Sequence, residues 1–186
     1  NEITAYQRNQ RYTLTQSRIL DCYPQIKTEL ESLKSLFSLC EITNLFIPEQ
    51  QPFLLRVFPM LLEHLQILEQ HPQKAKIIQE SFKIKFLAYN GLLAHLRHCR
   101  DCEQKISTQT ALFSLFDSNL TCLNCVPTKT DDNQKYRQIS INALKIINFL
   151  RSAPLSLTKK LIIPDHNLQE AAQIINQIIE FELGRP

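Results

Sequence analysis

Two Cys-x-x-Cys pairs constrain this chain more than any other feature. Cys99 and Cys102 lie in HCRDCEQK, Cys122 and Cys125 in TCLNCVP, and nineteen residues separate the pairs. Four of the six cysteines are thus placed two by two. A Cys-x-x-Cys turn bends the backbone so that two sulfurs face one centre, and two such turns on facing loops complete a tetrahedron. The spacer lies within the range of zinc ribbons and related knuckles.

Other uses of the same cysteines are weaker. A thioredoxin-like redox site wants one pair at a helix start in a βαβ setting, whereas here the pairs are doubled and their surroundings helical. Disulfides need an oxidising compartment. No apolar signal segment is visible in NEITAYQRNQRYTL, although a lost leader keeps that reading open. A catalytic zinc keeps one coordination position open, and four cysteines close the site. His98, beside Cys99, reads as a solvated side chain more readily than as a partner of the metal ligands. Cys22 and Cys40 sit on or near apolar stretches and read as packing residues.

The rest of the composition points to helices. The 186 residues contain two glycines, Gly91 and Gly184. Hairpin turns draw on glycine, so this shortage favours an all-α fold. Pro24 opens a first helix with Ile26, Leu30, Leu33, Phe37 and Cys40 on one face. A second, FLLRVFPMLLEHLQILEQH, carries Pro59, which should kink or split it. A third, KAKIIQESFKIKFLAYNGLLAHLRH, must end near Asn90-Gly91 or carry a bend there. Two more are expected near 139–152 and over 167–183, the last with Asn167 and Glu170 as a capping box and Gly184 past its end. A strand or two is expected over residues 3–20. Phe113, Leu115 and Asp117-Ser118-Asn119 suggest a short hairpin between the cysteine pairs. Residues 127–137 read as a polar loop. The expected architecture is a helical bundle with an inserted four-cysteine zinc knob, preceded by a short strand remnant. The chain lacks an initiator Met and opens on a polar, strand-like run, as expected of the C-terminal part of a longer protein.

Catalysis is not expected. The five histidines are scattered, and no G-x-S-x-G, H-E-x-x-H or glycine-rich phosphate loop occurs. No run of about 18 apolar residues exists to span a membrane. The formal charge of +3 permits a nucleic-acid partner without arguing for one. Basic residues come in small groups: Arg8 and Arg11, Lys74 and Lys76, Lys83 and Lys85, Arg97 and Arg100, Lys159 and Lys160. Each alone reads as a solvated helix face; together they suit a phosphate-binding surface if they converge.

The order YPQIKTELESLKSLFSLCEITNLF, FKIKFLAYNGLLAHLRHCRDC, LTCLNC and a terminal FELGRP resembles the bacterial recombination mediator family RecO over roughly residues 12–186. Asn90-Gly91-Leu92 stands where that family usually has Leu-Gly-Tyr, and the histidine usual before the closing Leu-Gly-Arg-Pro is replaced by Glu182. The resemblance implies that residues 1–20 end an N-terminal OB-fold. It also implies that 21–186 form a helical domain with a zinc-binding knob at about 96–128. It implies a cytoplasmic, non-catalytic protein of DNA repair and recombination that binds single- and double-stranded DNA. Its implied partners are RecR and single-strand-binding protein, with the recombinase RecA indirectly; it anneals strands and helps to load the recombinase. The expected zinc ligands are Cys99, Cys102, Cys122 and Cys125, and the zinc is structural. The expected DNA contacts are Arg8, Arg11, Arg97 and Arg100, with Lys159 and Lys160. The alternative is a zinc-stabilised helical module that binds proteins and not DNA.

Overall fold

The computed structural model describes residues 2–9, 11–46, 54–115, 118–125 and 136–184, with the backbone alone for 54–56. The chain begins with an antiparallel hairpin, β1 (Glu2–Arg8) and β2 (Arg11–Arg18). A 3-10 turn at Ile26–Thr28 leads into α1 (Leu30–Phe46), followed by α2 (Leu54–Gln70) and α3 (Ala75–Tyr89). The cysteine region carries β3 (Thr110–Ser114) and β4 (Asn119–Thr121), and β5 (Tyr136–Ser140) pairs with the other edge of β3. Helices α4 (Ile141–Ser152), α5 (Leu155–Thr158) and α6 (Asp165–Glu182) complete the described chain.

The fold is therefore mixed α/β, not all-α: among the described residues five strands form two antiparallel sheets beside the helices. Glycine shortage misled the expectation because other residues take the left-handed turn positions. Asn9 (φ 49°) turns the first hairpin, and Ser118 (φ 52°) turns β3 into β4. Short polar side chains tolerate that region better than most L-residues. The polar stretch 127–137, expected as a loop, ends in strand: Tyr136 and Arg137 are the first residues of β5. Asp117 and residues 126–135 lie outside the described residues, as do Phe53, Arg185 and Pro186.

Helix α3 is the centre of the bundle and packs against α1, α2, α4, α5 and α6. Ten of its fifteen residues are buried, including Phe82, Ile84, Phe86 and Leu87 on different sides. A helix that is buried nearly all round, here even at Glu80, Ser81 and Lys83, lies inside the core rather than on its surface. It stops where the sequence indicates. Gly91 (φ 75°) donates its N–H to Ala88 O, and Leu92 donates to Leu87 O across the turn, a Schellman arrangement that satisfies the last carbonyls.

Other helices differ in detail from expectation. The extended Glu29 separates Ile26 from α1, so the stripe from Ile26 to Cys40 is not one face. The buried side of α1 is Ser32, Ser35, Leu39 and Ile42, while Leu30, Phe37 and Cys40 are exposed. Two serines can line this face because Ser32 donates to Pro72 O and Ser35 to Gln79 Oε1. Cys22 is exposed as well, so neither it nor Cys40 is a packing residue. Pro59 does not split α2. Helix α6 begins at Asp165, and Glu170 closes no capping box. It reaches instead to Ser140, accepting from its N–H at 2.7 Å and its hydroxyl at 2.6 Å. Ser140 Oγ in turn accepts from Ala143 N and so caps α4. That junction ties β5, α4 and α6 together.

His64 of α2 is buried against the Phe82 ring, and its Nδ1 lies 2.7 Å from Met60 O. A carbonyl only accepts, so Nδ1 carries the proton and the buried Nε2 is left without a partner. Burial holds the imidazole well below its ordinary 6.5, at about 4, with Lys85 adding to the effect against the Met60 carbonyl. The unfolded chain binds this proton more readily. Stability is therefore fully present above pH 6.5 and lost as the pH falls towards 4, by roughly 3 kcal/mol from this group. Urea denaturation of wild type and His64→Leu between pH 7 and 4 measures it: the substitution should remove a loss of that size from the acid limb.

Candidate metal centre

The first cysteine pair sits on a tight loop beyond the end of α3. His98 bridges Lys105 in antiparallel fashion, Cys99 N–H donates to Gln104 O at 2.9 Å, and Ile106 N–H donates to Arg97 O at 2.9 Å. Glu103 N–H closes the turn on Cys99 O, with Glu103 at φ 58°. The second pair follows β4, where Cys125 N–H donates to Cys122 O at 3.0 Å. The two loops are joined directly: Cys99 bridges Leu120 in parallel, and Arg100 N–H donates to Leu120 O at 2.8 Å.

This wiring brings the four sulfurs together, all within 4.8 Å of one another. A tetrahedron with metal–sulfur bonds of about 2.3 Å has edges of about 3.8 Å. Cys102 Sγ and Cys122 Sγ are 3.8 Å apart, far beyond a disulfide bond of about 2.0 Å. Cys122 N–H also donates to Cys99 Sγ at 3.3 Å, the kind of backbone contact that favours a thiolate. Burial opposes ionisation of Cys99, but N–H groups of Cys102, Cys122 and Asp101 outweigh it and hold the thiol at about 6. Cys125 is pushed up by hydrogen bonds with Cys122 and Cys102. Cys99 is buried, Cys122 and Cys125 half-buried, and Cys102 exposed. The donor set and its spacing fit one tetrahedral ion held by sulfur alone.

A segment that sequence reading passed over fixes the loop to the bundle. Asn148 of α4 accepts from Leu96 N–H at 3.1 Å and donates to Leu96 O at 2.6 Å and Leu144 O at 2.9 Å. It thereby holds the backbone three residues before Cys99. An asparagine within an apolar helical stripe is the signal that was available, but nothing local says which segment it grips.

The expected cations are dispersed. Arg8 and Arg11 face each other at the last rung of the β1–β2 hairpin, both exposed. Arg97 and Arg100 are exposed on the cysteine loop. Lys159 caps α5 and Lys160 follows it, and the next residue, Leu161, receives Lys74 Nζ at 2.8 Å. Lys74 precedes the start of α3, whereas the cysteine loop follows its end. Fifteen residues of α-helix measure about 22 Å, well beyond a Debye length of about 8 Å, so these lysines and the loop arginines are not one patch. Lys83 is buried on Glu80, and Lys85 holds Arg151 O and Ala153 O at the end of α4. No helix among the described residues is long and apolar enough to cross a membrane.

The family model described as Recombination protein O C terminal matches residues 27–186. The chain belongs to that family. Curated relatives agree. The chain is 28% identical over 173 residues to the DNA repair protein RecO of Dehalococcoides mccartyi, covering 93% of this chain and 66% of that protein. It is 24% identical to the protein of the same name from Syntrophotalea carbinolica, covering 94% and 65%, and 22% identical to that of Alkaliphilus metalliredigens, covering 94% and 68%. The chain thus spans about two thirds of the length of these RecO proteins. No solved structure is significantly similar to it.

Proposed function

We propose that this chain is the helical, zinc-stabilised part of a recombination mediator that acts in DNA repair by binding, without catalysis of its own. Membership of the RecO C-terminal family carries the reading. On this reading the complete protein binds single- and double-stranded DNA. It meets RecR and single-strand-binding protein, with recombinase RecA downstream, to promote annealing and recombinase loading in the cytoplasm. The four cysteines hold one structural zinc, supported by the all-sulfur donor set and its 3.8 Å edge. A closed four-sulfur site leaves the ion no position for substrate, so its contribution is to fold the loop.

Arg97 and Arg100 on the cysteine loop are the proposed DNA contacts nearest the metal, with Arg8 and Arg11 at the hairpin tip as a separate group. Phosphate neutralisation releases counterions, so single-stranded DNA binding should weaken steeply as salt rises. Arg97→Ala with Arg100→Ala should lower affinity for every sequence alike and shallow the salt slope by about one unit per lost phosphate contact. Fluorescence anisotropy across a salt series in the full-length protein checks this. Unchanged affinity and slope would remove the loop from the DNA surface and favour the protein-binding module.

A further inference from the structure

The four clustered sulfurs are not equally reachable. Cys99 is buried, Cys122 and Cys125 are half-buried, and Cys102 is exposed. Cys102 belongs to the first cysteine turn and Cys122 to the second, and their sulfurs are 3.8 Å apart. Cys99 is less free to move. Its Sγ accepts the Cys122 N–H at 3.3 Å, its N–H is held on Gln104 O, and its carbonyl accepts from Glu103 N–H. An exposed thiolate beside a second cysteine is the arrangement that oxidants convert to a disulfide.

We infer that Cys102 and Cys122 are a peroxide-reactive pair, and that the disulfide they form takes over from the ion in holding the two cysteine turns together. The inference rests on the zinc reading given above in one respect: a bound metal keeps these sulfurs as thiolates. In the first step the Cys102 thiolate attacks one oxygen of hydrogen peroxide. An S–O bond forms, the O–O bond breaks, and the departing hydroxide takes up a proton. Cys102 is oxidised to its sulfenic acid and the peroxide is reduced. In the second step the Cys122 thiolate attacks the Cys102 sulfur. An S–S bond forms, the S–O bond breaks, and hydroxide leaves and is protonated to water. Two thiolates, one peroxide and two protons thus give one disulfide and two waters. Cys99 and Cys125 are then the only ligands left, too few for a tetrahedral site, so zinc departs.

The choice of partner decides what becomes of the loop. A disulfide within either Cys-x-x-Cys pair would leave the two turns joined by little besides the Leu120 contacts. A bond between Cys102 and Cys122 crosses from one turn to the other, as the metal does. It spans twenty positions, β3 and β4 among them, and asks the sulfurs to close from 3.8 Å to about 2.0 Å. Such a closure restricts the opened chain. The cysteine loop then has two staples, one for reducing and one for oxidising conditions.

The test treats the whole, reduced protein with graded hydrogen peroxide after its zinc content has been measured. Released zinc is read with a colorimetric chelator, cross-links by mass spectrometry of unreduced peptides, and loop order by trypsin cleavage at Arg100 and Lys105. Cys102–Cys122 should be the main disulfide, with one zinc released for each, and a thiol reductant with added zinc should reverse both. Cys22 and Cys40, exposed and outside the cluster, are the internal standard: the cross-link should be complete at doses that leave them mostly unmodified. Oxidised protein should be cut at Arg100 and Lys105 roughly tenfold more slowly than reduced protein stripped by a chelator. A main disulfide between Cys99 and Cys102, or between Cys122 and Cys125, would overturn the proposal. So would sulfinic acid at Cys102 without a cross-link, or oxidation no easier than at Cys22 and Cys40. Equal cleavage of oxidised and stripped protein would refute the second staple. Reduced protein without zinc would refute the metal reading alone, and the peptide map would still decide the pair.

Discussion

Cys102→Ser protein should carry no stoichiometric zinc, and the turns at 98–105 and 122–125 should lose their fixed structure while the helical circular dichroism of the bundle largely persists. Cys102 is the informative position because it is the exposed member of the four. Replacing the buried Cys99 would also disturb the core, confusing a packing loss with a metal loss. Structural zinc contributes about 10 kcal/mol or more to the folding of small sites, and three remaining thiolates cannot close the tetrahedron. The two cysteine turns have little else to hold them than a few backbone hydrogen bonds and the contact with Leu120, whereas β3 between them is anchored by its pairing with β5 and by the buried Phe113. The bundle has its own core around Phe82, Phe86 and Leu39 and does not depend on the ion. Metal analysis with protease mapping decides the matter. Stoichiometric zinc retained by Cys102→Ser, or a disulfide among the four in freshly purified wild type, would refute the ligand set.

Lys83→Met should destabilise the protein by about 3–5 kcal/mol at neutral pH, a loss centred in α3 and not at the metal. Glu80 and Lys83 lie one turn apart and are only 6% and 5% exposed. Lys83 Nζ donates to Glu80 Oε1 at 2.9 Å and to Asn176 Oδ1 of α6 at 2.9 Å. Glu80 Oε2 is buried without a partner. Burial already raises the Glu80 carboxyl above its ordinary range, and the neighbouring ammonium is what opposes that rise. Remove it and the carboxylate is buried alone, a state it relieves by taking a proton. A raised folded-state pKa favours folding below the unfolded value and costs stability as the pH rises through the folded one. The deficit of Lys83→Met relative to wild type should therefore shrink from pH 7 to pH 5. Glu80→Gln combined with Lys83→Met should recover most of it, since no buried charge remains. Urea denaturation of the single and double variants at both pH values gives the comparison; a single-variant loss under about 1 kcal/mol at pH 7 would mean that the pair is effectively solvated.

The clustering of the four cysteines was legible because its information is local: two residues between sulfurs, one turn each, and a spacer that lets the turns meet. The end of α3 was legible for the same reason, since Gly91 is written at the point where the left-handed residue is needed. Fold class was not, because it hung on who occupies a turn. Asn9 and Ser118 do there what glycine usually does, and no count of glycines reveals that. The face of α1 was misplaced by one broken turn at Glu29, after which the serines that look polar in sequence find acceptors on other elements. Glu170 shows the same limit: its spacing from Asn167 suits a cap, yet its partner is Ser140, thirty residues away.

The opening hairpin has a consequence for how the molecule breathes. Every residue of β1 and β2 is exposed, including Ile3, Tyr6, Tyr12 and Leu14. Two guanidinium groups oppose each other across its last rung, and like charges set directly opposite weaken a ladder. Among the amide protons of this ladder, those at the tip should therefore trade with deuterium first, by local fraying. Because the last rung carries the like charges, exchange should start at Arg8 and Arg11 and travel back along the ladder. Whatever anion bridges those two arginines would slow that first step, making the hairpin tip a built-in reporter of its own occupancy.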